Sequence, residues 1–353
     1  LRPQRVWDVR LDTQRQFFDG LSSPVKDMHV YPGFFHAVFH ERGREAPIAR
    51  MREFIAQCFS QPAAEPCLLD ADAAGHTKSE HDRLRAPGGH QYAPLRWGMR
   101  TLGRLSEGMR LGWRTGFDSG LTLDYVYENR PRGLTPLGRA IDRAFLSSVG
   151  WRGIGQRRTH LEGGLRDAVA RVQARNRPAR LLDVAAGPGR YVLEAVRSLP
   201  QPVTAVLRDN REENLAAGRC LSDSMGVPGV SFARGDAFDA RSLASTTPRP
   251  NVAIVSGLYE LVPDNARVRT SLGGLAEAIE PGGYLIYTNQ PWHPQLELIA
   301  RTLINRDGQP WVMRRRTQAE MDELVRDAGF RKISMEIDRW GIFTVSLAER
   351  VAA

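Results

Sequence analysis

The stretch "LLDVAAGPGRYVLEAV" (residues 181–196) decides the fold. An apolar run ends at Asp183, as in a buried strand, and a loop of small residues leads into a helix. Gly187 and Gly189 let a ligand come close to the backbone, and the helix start offers free N–H groups. The dinucleotide fingerprint G-x-G-x-x-G/A takes these two glycines but meets Val192 at its third position. Helix–strand packing calls for Gly or Ala there, and an acid at the strand end is foreign to that fingerprint.

The rest of residues 151–353 alternates apolar runs with amphipathic helical segments, the pattern of a sheet with crossover helices. Strands are expected at 179–186, 202–209, 230–236, 251–257, 283–289, 331–338 and 342–349. Only "RWG" joins the last two, which demands an antiparallel hairpin. Asp209 ends the second strand, where a carboxylate can accept hydrogen bonds from two ribose hydroxyls. Asp236 ends the third, the fourth opens near Ser256, Gly257 and Tyr259, and "IEPGG" precedes the fifth. All fall beyond the carboxyl ends of the strands, where such sheets bind ligands.

Asp183, Gly187 and Gly189 resemble the first motif of the class I S-adenosylmethionine (SAM) methyltransferases, D/E-x-G-x-G-x-G, with Ala185 in place of its first glycine. The order of acids, the PGG turn and the terminal hairpin resemble the same fold. The resemblance implies an α/β, Rossmann-like, seven-stranded sheet with SAM as cofactor. It implies cofactor contacts from Asp183, Ala185, Gly187, Gly189, Asp209, Asn210, Asp236, Ala237, Ser256 and Gly257. Residues 67–353 further resemble a bacterial family of class I methyltransferases often fused behind an α/β-hydrolase of the serine-aminopeptidase or monoacylglycerol-lipase type. The segments carrying this are "GFDSGLTLDYVYENRPRG" (116–133), "GWRGIGQRRTHLEGGL" (150–165), "SGLYELVPDN" (256–265) and "TNQPWHPQLELIARTL" (288–303). Gly155 departs from it, standing where a basic residue is expected.

Near the start, "YPGFFHAVFHE" (31–41) reads like the histidine turn of such a hydrolase, and residues 11–59 resemble its C-terminal end. His36 would be the triad histidine and Asp8 a candidate for the acid. The elbow G-x-S-x-G occurs nowhere, so His36 is an orphan and no ester hydrolysis is expected. The local pattern predicts helices over 13–21 and 46–59 and a short strand over 26–31. The expected division is a hydrolase fragment at 1–66, a helical lead-in or lid at 67–150, and the SAM-binding domain at 151–353.

At 353 residues, with 42% hydrophobic and 25% charged residues, the composition is ordinary for a soluble globular protein. The net charge is +9, yet lysine occurs only at Lys26, Lys78 and Lys332. The arginines are scattered and not interleaved with aromatics, so no nucleic-acid partner is expected. The dense cluster Arg314 to Arg316 reads as a solvated basic face, or else as a site for an anionic head group. The absence of a long apolar run or a signal-like start points to a cytoplasmic protein, with peripheral membrane contact left open. Cys58, Cys67 and Cys220 match no metal or redox spacing and read as buried or partly buried free thiols.

Methyl transfer needs a held acceptor and often proton removal. Tyr259 and Glu260 follow strand four, and Asn289, Gln290, Trp292 and His293 follow strand five. Tyr259 and His293 are the catalytic candidates, His293 as general base, with capping of the following helix as its alternative role. Residues 118–133, with Tyr125 and Tyr127, read as a lid over the acceptor or as a packed core strand. The expected function is SAM-dependent methyl transfer to a small molecule or lipid. The alternatives are a non-catalytic SAM- or nucleotide-binding regulatory module and a residual hydrolase acting through His36.

Overall fold

Residues 11–351, apart from 22, 24, 36 and 61–66, are described by a computed structural model. The chain divides into two units, 1–66 and 67–353. The first holds helices α1 (Leu11–Asp19) and α2 (Glu45–Ser60), and Pro47 alone is buried among its described residues. The strand expected over 26–31 does not form. Among the described residues of the unit no strand pairs its N–H and C=O groups, and a lone extended segment gains nothing from strand geometry. His36 and Asp8 lie outside the described residues.

The larger unit begins with helices α3 (His76–Arg85), α4 (Ala93–Thr101), α5 (Glu107–Thr115), α6 (Gly120–Glu128) and α7 (Pro136–Leu146). The long helix α8 (Val149–Gln173) leads into the sheet. Then come β1 (Arg180–Val184), α9 (Arg190–Arg197), β2 (Thr204–Asp209), α10 (Glu212–Met225), β3 (Val230–Arg234) and α11 (Ala240–Ala244). The chain closes with β4 (Val252–Val255), α12 (Asn265–Ala278), β5 (Tyr284–Asn289), α13 (Leu296–Thr302), α14 (Gln318–Asp327), β6 (Phe330–Ile337) and β7 (Thr344–Arg350). The seven strands lie in the order β3-β2-β1-β4-β5-β7-β6. The first five are parallel, and β7 runs antiparallel to both β5 and β6. That places the expected hairpin at the end of the sheet. The chain order reverses between β1 and β4, which opens a crevice at their carboxyl ends.

Alternation along the strands builds two cores. Leu181, Ala205, Leu207, Ile254 and Ile286 meet Leu161, Leu165 and Val169 of α8 and Val192 of α9. Leu182, Val184, Ala253, Val255 and Leu285 meet Leu272 and Leu275 of α12 and Leu324 of α14. Period-two side chains thus feed opposite faces of one buried sheet. A third core joins Phe117, Tyr125 and Phe145 of the lead-in to Trp151, Trp311 and Phe343. Residues 67–150 therefore share a core with 151–353.

Three expectations are corrected here. Residues 120–128 are helix, not a core strand, since Ser119 caps the turn by accepting from Thr122 N–H. All three cysteines are exposed, because Cys58 and Cys220 fall on the outer faces of α2 and α10. Arg314 and Arg316 are fully buried, not a solvated face. They are held by an ion pair to Glu320 and by backbone carbonyls that the sequence pattern does not reveal.

Asp142, fully buried, ties the lead-in helices together. It accepts from Ser106 Oγ, from the Tyr125 hydroxyl, and from the N–H groups of Gly108 (2.9 Å) and Arg132 (2.8 Å). Asp142→Ala would strand all of these donors and should lower the unfolding free energy by about 3 kcal/mol. Asp167→Ala, on the exposed side of α8, should change it by less than about 0.5 kcal/mol. Urea unfolding of both variants checks this, and equal effects would contradict it.

Candidate functional site

The turn from β1 to α9 places Ala185 (φ 58°), Gly187 (φ 57°) and Gly189 (φ 73°) in the left-handed region. A Cβ on Gly189 would lie 2.0 Å from Leu207 Cδ2, so that position has no room for a side chain. Ala185 adopts the same hand of backbone with a Cβ in place, at a cost of about 1–2 kcal/mol. Asp209 pins the loop. Its Oδ2 accepts from Gly187 N–H (2.9 Å), and its Oδ1 from Arg211 N–H (2.9 Å) and Asn214 Nδ2 (3.0 Å). A carboxylate offers about four acceptor positions, so one remains for the groove beside it.

Three spaces open around the ends of β1 and β4. A groove of about 260 Å³ is lined by Ala185, Asp209, Asn210, Asp236 and Ala237, with Phe238 beside them. A small cavity of about 30 Å³ is lined by Ala185, Gly187, Gly189, Tyr127, Arg157 and Ser256. The hydroxyl of Ser256 has no partner there. A third cavity, about 180 Å³, is walled by apolar groups that include Phe145, Trp151, Trp311, Met313 and Phe343. Ala185 belongs to the first two, Leu123 and Arg157 to the last two, and Leu261 and Trp311 to the first and third. The three therefore adjoin one another.

The stretch 116–128 covers the glycine loop. A Cβ on Gly120 would sit 2.8 Å from Gly187 Cα. Asp124 holds Arg190 of α9 through two bonds of 2.7 and 2.8 Å. Asp118 accepts from Arg306 N–H (2.6 Å) and Arg306 Nε (2.9 Å), closing the far side.

Asp183 lies behind the loop and lines none of the three spaces. It is buried, its Oδ2 accepts from the Tyr191 hydroxyl (2.6 Å), and its Oδ1 has no partner. Burial pushes its pKa up to about 8; the Tyr191 bond opposes this and the Asp209 charge adds to it.

The two catalytic candidates fall in different places. Tyr259 points into the core under α12, its hydroxyl 3.0 Å from Ser271 Oγ, and lines none of the spaces. Burial pushes its pKa up. His293 does line the apolar cavity together with Gly257. Burial pulls its pKa down to about 4, with Asp338 opposing. Its Nδ1 accepts from Gln295 N–H (3.0 Å), the helix-start role foreseen as its alternative. In the neutral ring the proton then sits on Nε2, which donates and cannot act as a base.

An ion pair that the sequence reading did not assemble stands between the small and apolar cavities. Arg157 Nη1 lies 3.3 Å from Glu260 Oε1, and both side chains are buried. Arg157 also lies over the Phe343 ring and reaches the Tyr127 hydroxyl (3.4 Å). Glu260 Oε2 and Arg157 Nε have no partner among the described residues. A signal for this was available: Arg157 interrupts the apolar stripe Ile154, Leu161, Leu165, Ala168 of α8. The loop carrying Glu260 is clamped from behind. Arg316 donates to the carbonyls of Tyr259 (2.5 Å) and Val262 (2.5 Å), and Arg314 N–H to that of Glu260 (3.2 Å). Burial, with the neighbouring Arg314 charge, pulls Arg316 down to about 10, which leaves it charged at neutral pH.

The profile of a family described as "Putative methyltransferase" matches residues 51–350. An Escherichia coli (strain K12) protein, "Uncharacterized protein YnbC", is 47% identical over 351 residues, 97% of this chain. The chain spans 60% of the length of that relative. The crystal structure of a possible exported protein from Bordetella parapertussis matches 83% of this chain and 100% of its own, at TM-score 0.58 and 21% identity. A weaker likeness is to a magnesium protoporphyrin IX methyltransferase from Synechocystis PCC 6803 with bound SAH, at TM-score 0.45 and 13% identity. It covers 67% of this chain and 97% of that one.

Relief of the left-handed backbone should outweigh the added chain entropy of glycine, so Ala185→Gly should raise stability by about 0.5–1 kcal/mol. A fall in the urea midpoint would contradict this. Asp183 gives a pH prediction. Its folded pKa, about 8, lies above the ordinary value of 3.8. The folded state therefore holds the extra proton between these values, and stability falls as pH rises through them. Asp183→Asn should flatten that slope. Urea unfolding at pH 5 and pH 7.5 would show equal slopes in parent and variant if Asp183 had no part in it.

Proposed function

The chain belongs to this methyltransferase family, and on that premise we propose that it transfers a methyl group from SAM to a small, largely apolar acceptor. The observation that carries this reading is that the polar groove, the glycine cradle and the apolar cavity adjoin one another, through Ala185, Arg157 and Trp311. The residues fit such a cofactor: the cradle has no side chain at Gly187 and Gly189, and Ser256 keeps a free hydroxyl beside it.

SAM, when bound, supplies an electrophilic methyl group. Asp209 would accept from one ribose hydroxyl with its remaining acceptor position. Asp236, Ala237, Phe238 and Asn210 would line the adenine, in the wider part of the groove. Gly187, Gly189 and Ser256 would receive the amino-acid end, with Asp183 behind them. The acceptor would enter the apolar cavity, where Trp151, Trp311 and Phe343 exclude water. We assign residues 1–66 no hydrolysis of their own, since this sequence holds no G-x-S-x-G elbow for His36 to serve. Among the described residues no helix is long and apolar enough to cross a membrane, and a cytoplasmic setting is part of the proposal.

Calorimetric titration with SAM tests the reading. The parent should bind, and Asp236→Ala and Asp209→Asn should each weaken binding at least about tenfold, as expected for lost charge-assisted hydrogen bonds. No binding by folded parent protein would overturn it. Binding without methylation of any acceptor in a broad panel would favour a regulatory module instead.

A further inference from the structure

The apolar cavity carries an unusual polar feature. Its walls are mainly apolar, with Gln290 and His293 among them, and two buried atoms of the ion pair that borders it, Glu260 Oε2 and Arg157 Nε, lack hydrogen-bond partners among the described residues. Leaving a buried polar atom unpaired costs about 1–3 kcal/mol, more for a charged group. Such atoms are rare in native structures unless something else meets them. Their chemistry differs: the carboxylate oxygen can only accept, and the guanidinium N–H can only donate. A hydroxyl satisfies both, since it donates one hydrogen and accepts on its lone pairs. A carboxylate or phosphate would answer Arg157 but repel Glu260, and an ammonium would do the reverse.

We propose that the acceptor is an aromatic hydroxyl compound, and that Glu260 is the catalytic residue that takes the hydroxyl proton. This rests on the methyltransferase reading above and deepens it. The ring would lie against the aromatic wall that Trp151, Trp311 and Phe343 form, which suits a flat apolar body. The hydroxyl oxygen gains the methyl carbon, its proton passes to Glu260 Oε2, and the electron pair of the broken carbon–sulfur bond stays on sulfur. Arg157 is the positioning residue. It holds Oε1 and leaves Oε2 without a partner among the described residues. Placement supports the assignment, because Arg157 and Leu123 line both the glycine-cradle cavity and the apolar one. The clamp of Arg314 and Arg316 on the Glu260 loop fixes the carboxylate from behind.

The test needs no turnover. Cofactor-free protein is titrated calorimetrically with 2-naphthol and with 2-methoxynaphthalene, in which a methyl group replaces the hydrogen that Glu260 would take. The parent should bind 2-naphthol at least about tenfold more tightly, the effect of one charge-assisted hydrogen bond in a dry cavity. Glu260→Gln, which keeps a partner for Arg157, should reduce that preference to less than about threefold. Leu298→Trp, which fills the cavity away from the groove, should abolish binding of both probes while SAM still binds. Equal affinity of the parent for the two probes, or binding of neither, overturns the proposal without any variant. SAM is titrated into the same samples. Loss of SAM binding in the parent would remove the methyltransferase reading, whereas SAM binding with no hydroxyl preference would remove only this inference.

Discussion

The Asp209 carboxylate is the point on which the site depends. It takes a hydrogen bond from Gly187 N–H in the loop, from Arg211 N–H at the start of α10, and from the Asn214 side chain. One buried group thus joins the end of β2, the left-handed turn after β1 and the next crossover helix. The turn holds three left-handed residues within five positions, so it needs an external hold of this kind. The same bonds leave Asp209 one acceptor position toward the groove.

A second constraint is where the arginines lie. Arg157, Arg314 and Arg316 are among the largest fully buried side chains. Burying charge is costly unless it is paired and hydrogen-bonded, and Arg314 and Arg316 are met by Glu320, by Asn265 and by backbone carbonyls. Their effect is to hold a loop that has no regular secondary structure beyond one short turn. The loop then presents Glu260 to the cavity while Tyr259, its neighbour, is turned into the core. Adjacent residues on a tight turn face opposite ways, so Glu260 lines the apolar cavity while Tyr259 packs into the core.

Much of the fold was legible because it rests on local pattern. Buried strands read as apolar runs, and "RWG" is too short for anything but a hairpin. The motif residues Gly187 and Gly189 and the acids Asp209 and Asp236 are fixed by the strand ends they follow, and the structure brings them to one groove and its cradle. Other readings failed where the pattern is silent. The expected strand over 26–31 had suitable residues but no partner. Tyr125 and Tyr127 suit a strand or a helix equally, and the Ser119 cap decides for helix. The "RRR" of 314–316 looks like a surface, since nothing in a run of like charge announces Glu320 and three carbonyls waiting for it.

The sequence by itself determined the sheet, its hairpin and the glycine turn, because backbone geometry and hydrophobic period are local properties. Tertiary structure decided the chemistry of the cavity. Arg157 and Glu260 are 103 residues apart, and only the packing of α8 against the end of β4 makes them a pair. Tyr259 and His293 stand in the right segments, yet their roles are set by contacts with Ser271 and Gln295. A side chain's direction and its proton depend on groups that are distant in sequence or on the exact turn of the backbone. Residue type alone does not contain that information.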